Sequence, residues 1–405
     1  MTAGITGTAG NATAKHRILV LGAGYAGASA AGRLAKRLHR DDVAITLVND
    51  EPDFVERVRN HQLAVGQEFK HRPFEEMFAG TGMELKLAKV AAVDVDRKSV
   101  RVVSTAGEED LTYDTLVYAL GSRWNDHGVQ GVVEYAHEVS SRGGALRLRS
   151  RLESLEAGQK VLVVGGGLTG VEAVTEIAET HPHLDVALAA RGALGDWLSE
   201  KGAQHLRKVV DRLGITAYEN TSVAAVEADQ VKTADGEAIA ADVTVWTTGF
   251  ATHPIAAASG LQVTEGGQIV LDDMMRSVSH PDVYAVGDAG WAMGDAGKPL
   301  RMSCATGTPM AWQAADAITS QLTGLKQPKM PLHYFNQCIS LGRQDGLIQF
   351  VNADDSSKEK VLTGRMAARY KEFICKAAAW GVGHPGATVG SKGRRVAREQ
   401  ALAAA

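Results

Sequence analysis

The sequence contains little cysteine, and this shortage excludes several kinds of site. Only three cysteines occur among 405 residues, Cys304, Cys338 and Cys375, and no two of them are close in sequence. A redox-active dithiol or a zinc site requires a close pair such as Cys-x-x-Cys, so neither is predicted. The residue spacings typical of other metal sites and of serine nucleophiles are also missing. We therefore predict no metal.

Long apolar segments and a strong excess of charge are missing as well. No apolar run reaches the roughly 18 residues of a membrane-spanning helix. The formal net charge of −4 provides no general attraction to nucleic acid. Residues 1–14 are rich in Gly, Thr and Ala, and are expected to form a flexible tail and not a signal peptide. We predict a cytoplasmic protein with two or three domains.

Glycine is abundant, and two glycine-rich loops carry the strongest signal. Each loop follows an apolar strand and opens a helix of small residues; they are Gly22-Ala-Gly24-Tyr25-Ala26-Gly27 and Gly165-Gly-Gly167-Leu168-Thr169-Gly170. The first glycine of such a loop makes the turn, the second lets the backbone approach a pyrophosphate, and the third packs the helix against the strand. Two such loops in one chain predict two dinucleotide sites with electron transfer between them.

Strand and helix patterns alternate along the chain, which predicts an α/β fold with parallel sheets. Strands are expected at 17–22, 43–48, 100–103 and 115–120, and a helix at 143–158. A later strand ends at Gly287-Asp288, which suggests that one Rossmann-like domain is inserted into another. The predicted units are a first domain at 15–142, an inserted domain at 143–249, the rest of the first domain at 250–325, and a small α+β unit at 326–405.

Five motifs occur in an order that resembles one superfamily. They are Gly22-x-Gly-x-x-Gly, Leu120-Gly121-Ser, Gly165-x-Gly-x-x-Gly-Val-Glu, Trp246-Thr-Thr-Gly249-Phe and Tyr284-Ala-Val-Gly287-Asp288. Over roughly residues 16–320 the chain resembles flavoproteins with two dinucleotide-binding domains, the pyridine nucleotide-disulfide oxidoreductase superfamily. Ser340-Leu-Gly342 and Gly364-Arg-Met-Ala resemble the C-terminal part of its type II NADH dehydrogenase-like branch. Disulfide reductases and sulfide:quinone reductases fit less well, because they need paired cysteines.

The resemblance implies FAD in the first domain and NAD(P)H in the inserted one. It implies hydride transfer from the nicotinamide to the flavin N5, and then electron transfer to a quinone or another small-molecule acceptor. Two alternatives stay open. One is a flavoprotein resembling ferredoxin reductases or apoptosis-inducing factor, with a protein or small-molecule acceptor. The other is a sensor that responds to NAD(P)H without turnover. A homodimer is also left open.

For the FAD site, the resemblance assigns roles to residues of the first domain. Asp288 is expected to accept a hydrogen bond from a ribityl hydroxyl. Asn49 stands where a ribose-binding carboxylate is usual, and its amide can also bond to a hydroxyl. The remaining residues expected to bind cofactor are Gly22, Gly24, Tyr25, Ala26, Gly27, Gly121, Gly249 and Gly287.

For the nicotinamide site, the residues expected to bind cofactor are Gly165, Gly167, Leu168, Thr169, Gly170 and Arg191. Folds that prefer NAD usually place an acid where Ala190 stands. An adjacent arginine would instead pair with the 2′-phosphate of NADP, so a preference for NADPH is predicted. Glu172 is expected to lie near the nicotinamide and flavin, where it could relay a proton. Its alternative role is to stabilise the start of a helix.

Other residues have more than one interpretation. Gln313 matches the glutamines that the resembled enzymes carry beside the flavin and quinone, and is a second candidate catalytic residue. The polar residues of the segment 54–63 could form a surface helix, or could reach the flavin or an acidic acceptor; they are Arg57, Arg59, His61 and Gln62.

Residues 364–380 have the pattern of an amphipathic helix. Its apolar stripe is Met366, Tyr370, Phe373, Ile374, Ala377 and Trp380. The basic residues Lys392, Arg394, Arg395 and Arg398 follow in the C-terminal tail. The stripe could pack on its own domain, on a second subunit, or on the inner face of the cell membrane.

Overall fold

The computed structural model describes residues 14–326, 329–385 and 393–397, so most of the predicted flexible tail, Lys392 and Arg398 lie outside the described residues. The strands are β1 His16–Leu21, β2 Val43–Asn49, β3 Glu84–Leu87, β4 Lys89–Asp94, β5 Ser99–Ser104, β6 Gly107–Thr112, β7 Thr115–Tyr118, β8 Ser122–Trp124, β9 Ala136–His137, β10 Lys160–Val164, β11 Asp185–Ala189, β12 Thr216–Tyr218, β13 Val223–Val226, β14 Gln230–Thr233, β15 Ala238–Ala240, β16 Val243–Trp246, β17 Phe250–Thr252, β18 Ile269–Val270, β19 Val283–Ala285, β20 Gly290–Trp291, β21 Asn336–Ser340, β22 Gly346–Val351 and β23 Ser357–Thr363. The helices are α1 Tyr25–Arg37, α2 Asn60–Leu63, α3 Phe74–Met77, α4 Val132–Tyr135, α5 Arg142–Glu153, α6 Leu168–Thr180, α7 Glu200–Arg212, α8 Ile255–Ala258, α9 Cys304–Thr323 and α10 Gly364–Gly383.

The first parallel sheet has the order β19-β7-β1-β2-β3. Its central strand β1 is fully apolar after residue 17 and is buried from Ile18 to Leu21, as expected of a strand covered on both faces. Strand β19 joins β7 in parallel although the whole second sheet lies between them in sequence. This arrangement confirms the predicted insertion of one Rossmann-like domain into another. The expected strand at 100–103 belongs elsewhere: β5 forms a separate antiparallel sheet with β4 and β6.

The second parallel sheet has the order β12-β11-β10-β16-β9. Its edge strand β9 lies before residue 143 in sequence, and pairs in parallel with β16. Helix α5 corresponds to the helix expected at 143–158, but it ends at Glu153. The Ser141 hydroxyl caps it by accepting a hydrogen bond from Gly144 N at 2.9 Å. A turn with Gly158 at φ +81 then leads into β10.

The C-terminal unit consists of an antiparallel sheet, β21-β22-β23, and helix α10. It packs against both larger domains. Val351, Ala379 and Val382 join the apolar core of the first domain, whereas Ile339, Leu341 and Leu347 join the core of the second. The unit therefore connects the two nucleotide folds, and α10 is held close to α1. No helix within the described residues is long and apolar enough to cross a membrane.

Candidate dinucleotide sites and the buried ion pair between them

The first glycine loop is built so that larger residues would not fit at its ends. Gly22 has φ +90, and a Cβ there would lie 2.4 Å from Ala119 O. A Cβ on Gly27 would lie 1.9 Å from Gly22 O, so α1 rests directly on the turn. At Gly24 a Cβ would meet no described atom within 4 Å, because this glycine faces open space. The turn at Gly22 and the close packing at Gly27 agree with the geometry expected from the sequence, and the pyrophosphate contact at Gly24 stays a prediction.

The second loop repeats this geometry. Gly165 has φ +124, and a Cβ there would lie 2.6 Å from Thr247 Oγ1. A Cβ on Gly170 would lie 1.8 Å from Gly165 O, whereas one on Gly167 would meet no described atom within 4 Å. Leu168 and Thr169 are half-buried beside it.

The helices that follow the two loops begin without a side-chain cap. Among the described residues, no side chain accepts from the first turn of α1 or α6. Helices α5 and α7, in contrast, are capped by Ser141 and Ser199. The free N–H groups and the positive end of each helix dipole favour an anion in front of the glycine loop. Both cradles therefore fit the pyrophosphate of a dinucleotide, FAD in the first and NAD(P)H in the second.

Asn49 ends β2 beside the first loop. Its Oδ1 accepts a hydrogen bond from Ala23 N at 2.9 Å, and its Nδ2 donates to Glu51 O at 2.8 Å. Its side chain therefore links the first glycine loop to the segment that follows β2. The expected contact with the adenosine ribose stays a prediction.

Asp288 lies in a polar group contributed by distant segments. Its Oδ2 accepts a hydrogen bond from Ser122 Oγ at 2.6 Å and lies 3.5 Å from Arg57 Nη1. Arg57 Nη2 also donates to Ser122 Oγ at 3.1 Å. Gly121 and Gly287 both have positive φ, and a Cβ on Gly287 would approach Ala26 Cβ to 3.0 Å. The carboxylate is thus held next to the first glycine loop, where FAD is expected.

Glu172 is almost completely buried on the first turns of α6. Its Oε1 accepts a hydrogen bond from Ser340 N at 2.9 Å and forms an ion pair with Lys371 Nζ at 2.9 Å. Its Oε2 lies 3.8 Å from His61 Nδ1. The three partners come from the C-terminal strand β21, from α10 and from α2. Glu172 is therefore the point at which all three units of the protein meet.

The charges of this group depend on burial and on one another. Burial acts to lower the pKa of Lys371, but the Glu172 carboxylate raises it above its ordinary value. Burial lowers the pKa of His61 to about 4, so this imidazole is neutral at pH 7. His61 Nε2 has no hydrogen-bond partner among the described residues. The group therefore combines a fixed ion pair with a neutral imidazole that has a free polar atom.

Glu176 lies one turn further along α6 and is fully buried. Its carboxylate accepts hydrogen bonds from Gln62 Nε2 at 3.4 Å, Gln67 Nε2 at 3.2 Å and Ser340 Oγ at 3.2 Å. Burial raises the pKa of Glu176 to about 7, since Arg343 and these donors compensate only in part. Ser340 therefore touches both buried glutamates, through its N–H and through its hydroxyl.

The segment 54–63 faces inward. It forms a 3-10 turn at Arg57–Arg59 followed by α2, so the alternative of a surface helix is wrong. Arg57 reaches Asp288, His61 reaches Glu172 and Gln62 reaches Glu176. Arg59 Nη2 instead donates to Glu372 of α10, at 2.9 and 3.0 Å.

The remaining expected site residues lie apart from this group. The Gln313 side chain is buried in α9, where Nε2 contacts Met274 Sδ at 3.5 Å and Oε1 accepts from Met330 N at 2.8 Å. Its catalytic role stays a prediction. Arg191 is exposed after β11 and has no ion-pair partner among the described residues. Gly249 has φ +117 and faces His127, whose Nε2 lies 2.7 Å from Thr248 O.

The three cysteines are free thiols. Burial raises the pKa of Cys338 and that of Cys375 to about 11, so both are protonated at pH 7. Cys304 begins α9 and is exposed, whereas Cys338 is half-buried and Cys375 is buried.

The family model of the pyridine nucleotide-disulphide oxidoreductases matches residues 16–318. The chain belongs to this family. It is 30% identical over 341 residues to an NADH dehydrogenase-like protein of Mycobacterium tuberculosis, covering 78% of this chain and 82% of that protein. It is 26% identical to a type II NADH:quinone oxidoreductase of Staphylococcus haemolyticus, covering 92% and 97%. The prediction of an FAD-dependent NAD(P)H oxidoreductase resembling NADH dehydrogenases is confirmed.

Solved structures support the same fold. The sulfide:quinone oxidoreductase of Aquifex aeolicus superimposes with a TM-score of 0.76 at 20% identity, over 92% of each chain. At this identity the likeness concerns the fold alone.

Sequence reasoning missed Lys371 and Ser340. Lys371 does carry a signal, because it stands four residues after Ala367 and four before Cys375, both of which are buried on α10. A lysine in line with the small residues of a packed helix face requires a buried counter-charge. The identity of that partner is set by tertiary contacts between residues far apart in sequence.

Proposed function

We propose that this protein transfers electrons from NADPH, in preference to NADH, through bound FAD to a quinone. The single observation that carries the proposal is the buried Glu172–Lys371 pair at the start of α6, where the nicotinamide cradle, the flavin-side segment 57–63 and the C-terminal unit converge. Relatives named as NADH:quinone oxidoreductases support the choice of acceptor.

When bound, FAD supplies the capacity to accept a hydride from the nicotinamide and to pass two electrons on. The residues of the chain position the cofactors and control protons. The two glycine loops hold the pyrophosphates, and Asp288 with Arg57 and Ser122 fixes the ribityl side of the first site. Glu172 and His61 are almost completely buried, which strengthens the charge interaction between Glu172 and Lys371.

Glu172 and Lys371 are proposed to orient the acceptor and to move a proton during its reduction. The Lys371 ammonium can donate to an acceptor oxygen, and the carboxylate beside it can receive a proton from solvent or release one. Glu172→Gln keeps the size of the side chain but removes its charge. We expect quinone reduction at saturating NADPH to fall by about 10²-fold or more, while flavin content stays that of the wild type.

A matched control is Glu153→Gln, which changes an exposed glutamate paired with Arg149 on α5. Wild-type turnover is expected for this control. The proton role is wrong if Glu172→Gln retains wild-type kcat with menadione across pH 5–9.

The preference for NADPH rests on Arg191. This arginine is exposed at the end of β11, directly after the buried Ala190, and no described carboxylate neutralises it. An arginine there can pair with a 2′-phosphate, whereas an acid would repel it. Arg191→Ala should lower kcat/KM for NADPH by about tenfold and leave that for NADH nearly unchanged. If the ratio of kcat/KM for NADPH to kcat/KM for NADH is the same in the wild type and in Arg191→Ala, the role of Arg191 is refuted.

Peripheral membrane contact is proposed for α10. The apolar stripe of this helix is exposed: Met366 is 68% exposed, Phe373 66% and Trp380 50%. The helix packs inward through a different face, Ala367, Cys375 and Ala379. Of the basic tail, Arg395 is already paired with Asp41 and Asp42. Membrane attraction would therefore depend on the helix more than on the tail.

Sedimentation with anionic liposomes at low salt tests this contact, with Phe373→Ser as the variant and Val133→Ser, another exposed apolar residue, as the control. We expect binding by the wild type and the control and weaker binding by Phe373→Ser. A stable homodimer that buries the same helix, seen by analytical ultracentrifugation, would assign this face to a second copy of the chain.

A further inference from the structure

A cavity of about 310 Å³ lies between α10 and the loop that follows β21. We call it the arginine pocket. Its lining residues are Ser340, Gly342, Arg343, Gln344, Arg365, Ala368, Arg369, Lys371 and Glu372. Four of the nine lining residues carry a positive charge and one carries a negative charge. The volume is large enough for a small ligand.

The negative charge in the arginine pocket is already engaged. Glu372 accepts from Arg59 Nη2 at 2.9 Å, and it lies 3.2 Å from both Arg343 Nη2 and Lys376 Nζ. Lys371 is balanced by Glu172 on its other side. Glu372 therefore does not neutralise the two remaining positive charges of the pocket, those of Arg365 and Arg369.

Arg365 and Arg369 are the unbalanced residues. Within residues 14–326, 329–385 and 393–397, neither guanidinium lies within 4 Å of a carboxylate oxygen or donates a side-chain hydrogen bond. The two are four residues apart on α10, so they stand on the same side of the helix and repel each other. An anion between them would remove this repulsion and would use donors that are otherwise free.

The chemistry of the donors indicates which anion fits. A guanidinium presents its N–H groups in a planar fork that matches two oxygens of one phosphate, which makes arginine well suited to this group. We propose that the arginine pocket binds a phosphate group, carried either by a soluble metabolite or by a lipid headgroup. This inference does not depend on the proposed quinone reduction, since it concerns binding alone.

The Gln344 side of the arginine pocket lies away from the dinucleotide phosphate cradle, whereas Lys371, which also lines the pocket, pairs with Glu172. Glu179, which accepts from Gln344 N at 3.4 Å, lies twelve residues after Gly167 on α6. At 1.5 Å per residue this is about 18 Å along the helix from the glycine loop. Arg191, the residue predicted to meet a 2′-phosphate, follows β11 and does not line the pocket.

The test is calorimetric titration of the FAD-loaded protein with inorganic phosphate at constant ionic strength. The double variant Arg365→Gln/Arg369→Gln should bind phosphate at least about tenfold more weakly than the wild type. The control variant Arg101→Gln removes an exposed arginine that is paired with Asp110 in the β5–β6 hairpin, and should bind as the wild type does. If the double variant binds phosphate with unchanged affinity, the phosphate binds elsewhere, as at a glycine loop, and the proposal is overturned. A wild-type protein that shows no saturable phosphate binding also overturns it.

Two further arms identify the carrier of the phosphate. Vesicles of phosphatidylcholine with and without phosphatidylglycerol report on a lipid headgroup, and glycerol 3-phosphate reports on a soluble ligand. Sedimentation with phosphatidylglycerol vesicles that falls about tenfold in the double variant assigns the lipid. Binding of glycerol 3-phosphate that weakens about tenfold in the double variant, with vesicle binding unaffected by these substitutions, assigns the soluble ligand. If the double variant keeps both vesicle binding and glycerol 3-phosphate binding, the proposed phosphate site in the arginine pocket is wrong.

Discussion

Replacing Lys371 by methionine removes one half of the buried ion pair and leaves its partner in place. The Glu172 side chain is 4% exposed and that of Lys371 12%, so water replaces little of the lost contact. Breaking a buried pair on one side commonly costs 3–5 kcal/mol of unfolding free energy. Glu172 keeps its hydrogen bond from Ser340 N, which offsets part of this cost. We therefore expect a loss of about 3 kcal/mol for Lys371→Met.

A double-mutant cycle separates this cost from the loss of packing. Glu172→Gln preserves an acceptor for Ser340 N, and the double variant Glu172→Gln/Lys371→Met contains no buried charge at this point. The double variant should be more stable than the sum of the single changes implies, by about 1–3 kcal/mol. Urea unfolding at pH 7 with a fixed excess of FAD measures all four proteins, since bound cofactor itself adds to stability. Additive single effects, or a loss below about 1 kcal/mol for Lys371→Met, would refute the reasoning.

Three further changes test other parts of the structure. Asp316→Ala leaves the buried Arg33 and the half-buried Arg37 of α1 without a counter-charge, so a loss of about 3–5 kcal/mol is expected in urea unfolding, and a loss within 1 kcal/mol would contradict this role. Gly27→Ala would place a Cβ 1.9 Å from a backbone oxygen, so the purified protein should lose most of its FAD absorbance; full FAD content would show that the loop tolerates a side chain. Glu176 has a pKa raised by burial to about 7 in the folded protein, so its contribution to stability is present below the unfolded value near 4.5 and is lost as pH rises through 7. Relative to Glu176→Gln, the wild type should thus lose roughly 3 kcal/mol at most between pH 4.5 and 8, and a constant difference across that range would contradict the shift.

Local sequence patterns were sufficient to predict the two nucleotide folds. The glycine loops could be recognised because the atoms nearest to a Cβ on Gly27 or Gly170 are the carbonyl oxygens of Gly22 and Gly165, which stand only five residues earlier in the chain. The strands β1, β2, β10 and β16 are short apolar runs, which is typical of parallel strands buried on both faces. The order of the motifs along the chain then indicated that one domain interrupts the other.

The membership of strands in sheets was less predictable. Residues 100–103 do form part of a strand, β5, in which buried and exposed residues alternate. This strand pairs with β4 and β6, outside the parallel sheet. Ala136–His137 is only two residues long, so it carries no periodic signal, yet it adds an edge strand to the second sheet. Such pairings form between segments far apart in the chain, and the local patterns of a single sequence do not reveal them.

The C-terminal helix shows a similar limit. Its large apolar residues predicted an amphipathic helix, and α10 covers the expected range. The face that packs inward, however, carries Ala367, Cys375 and Ala379, because small side chains let α10 approach α1 and β22 closely. The apolar stripe that was the basis of the prediction is exposed instead. A pattern of this kind indicates that an apolar face exists but not what covers it.

The central claim is that one polypeptide brings a reduced nicotinamide to bound FAD and passes the electrons to a quinone. The most direct measurement is an anaerobic titration of the FAD-loaded protein with NADPH, followed at the flavin absorbance near 450 nm, and then with menadione. We expect stoichiometric bleaching of the flavin by NADPH and rapid return of the absorbance when menadione is added. A folded protein that takes up no FAD, or a flavin that neither NADPH nor NADH reduces, would contradict the account.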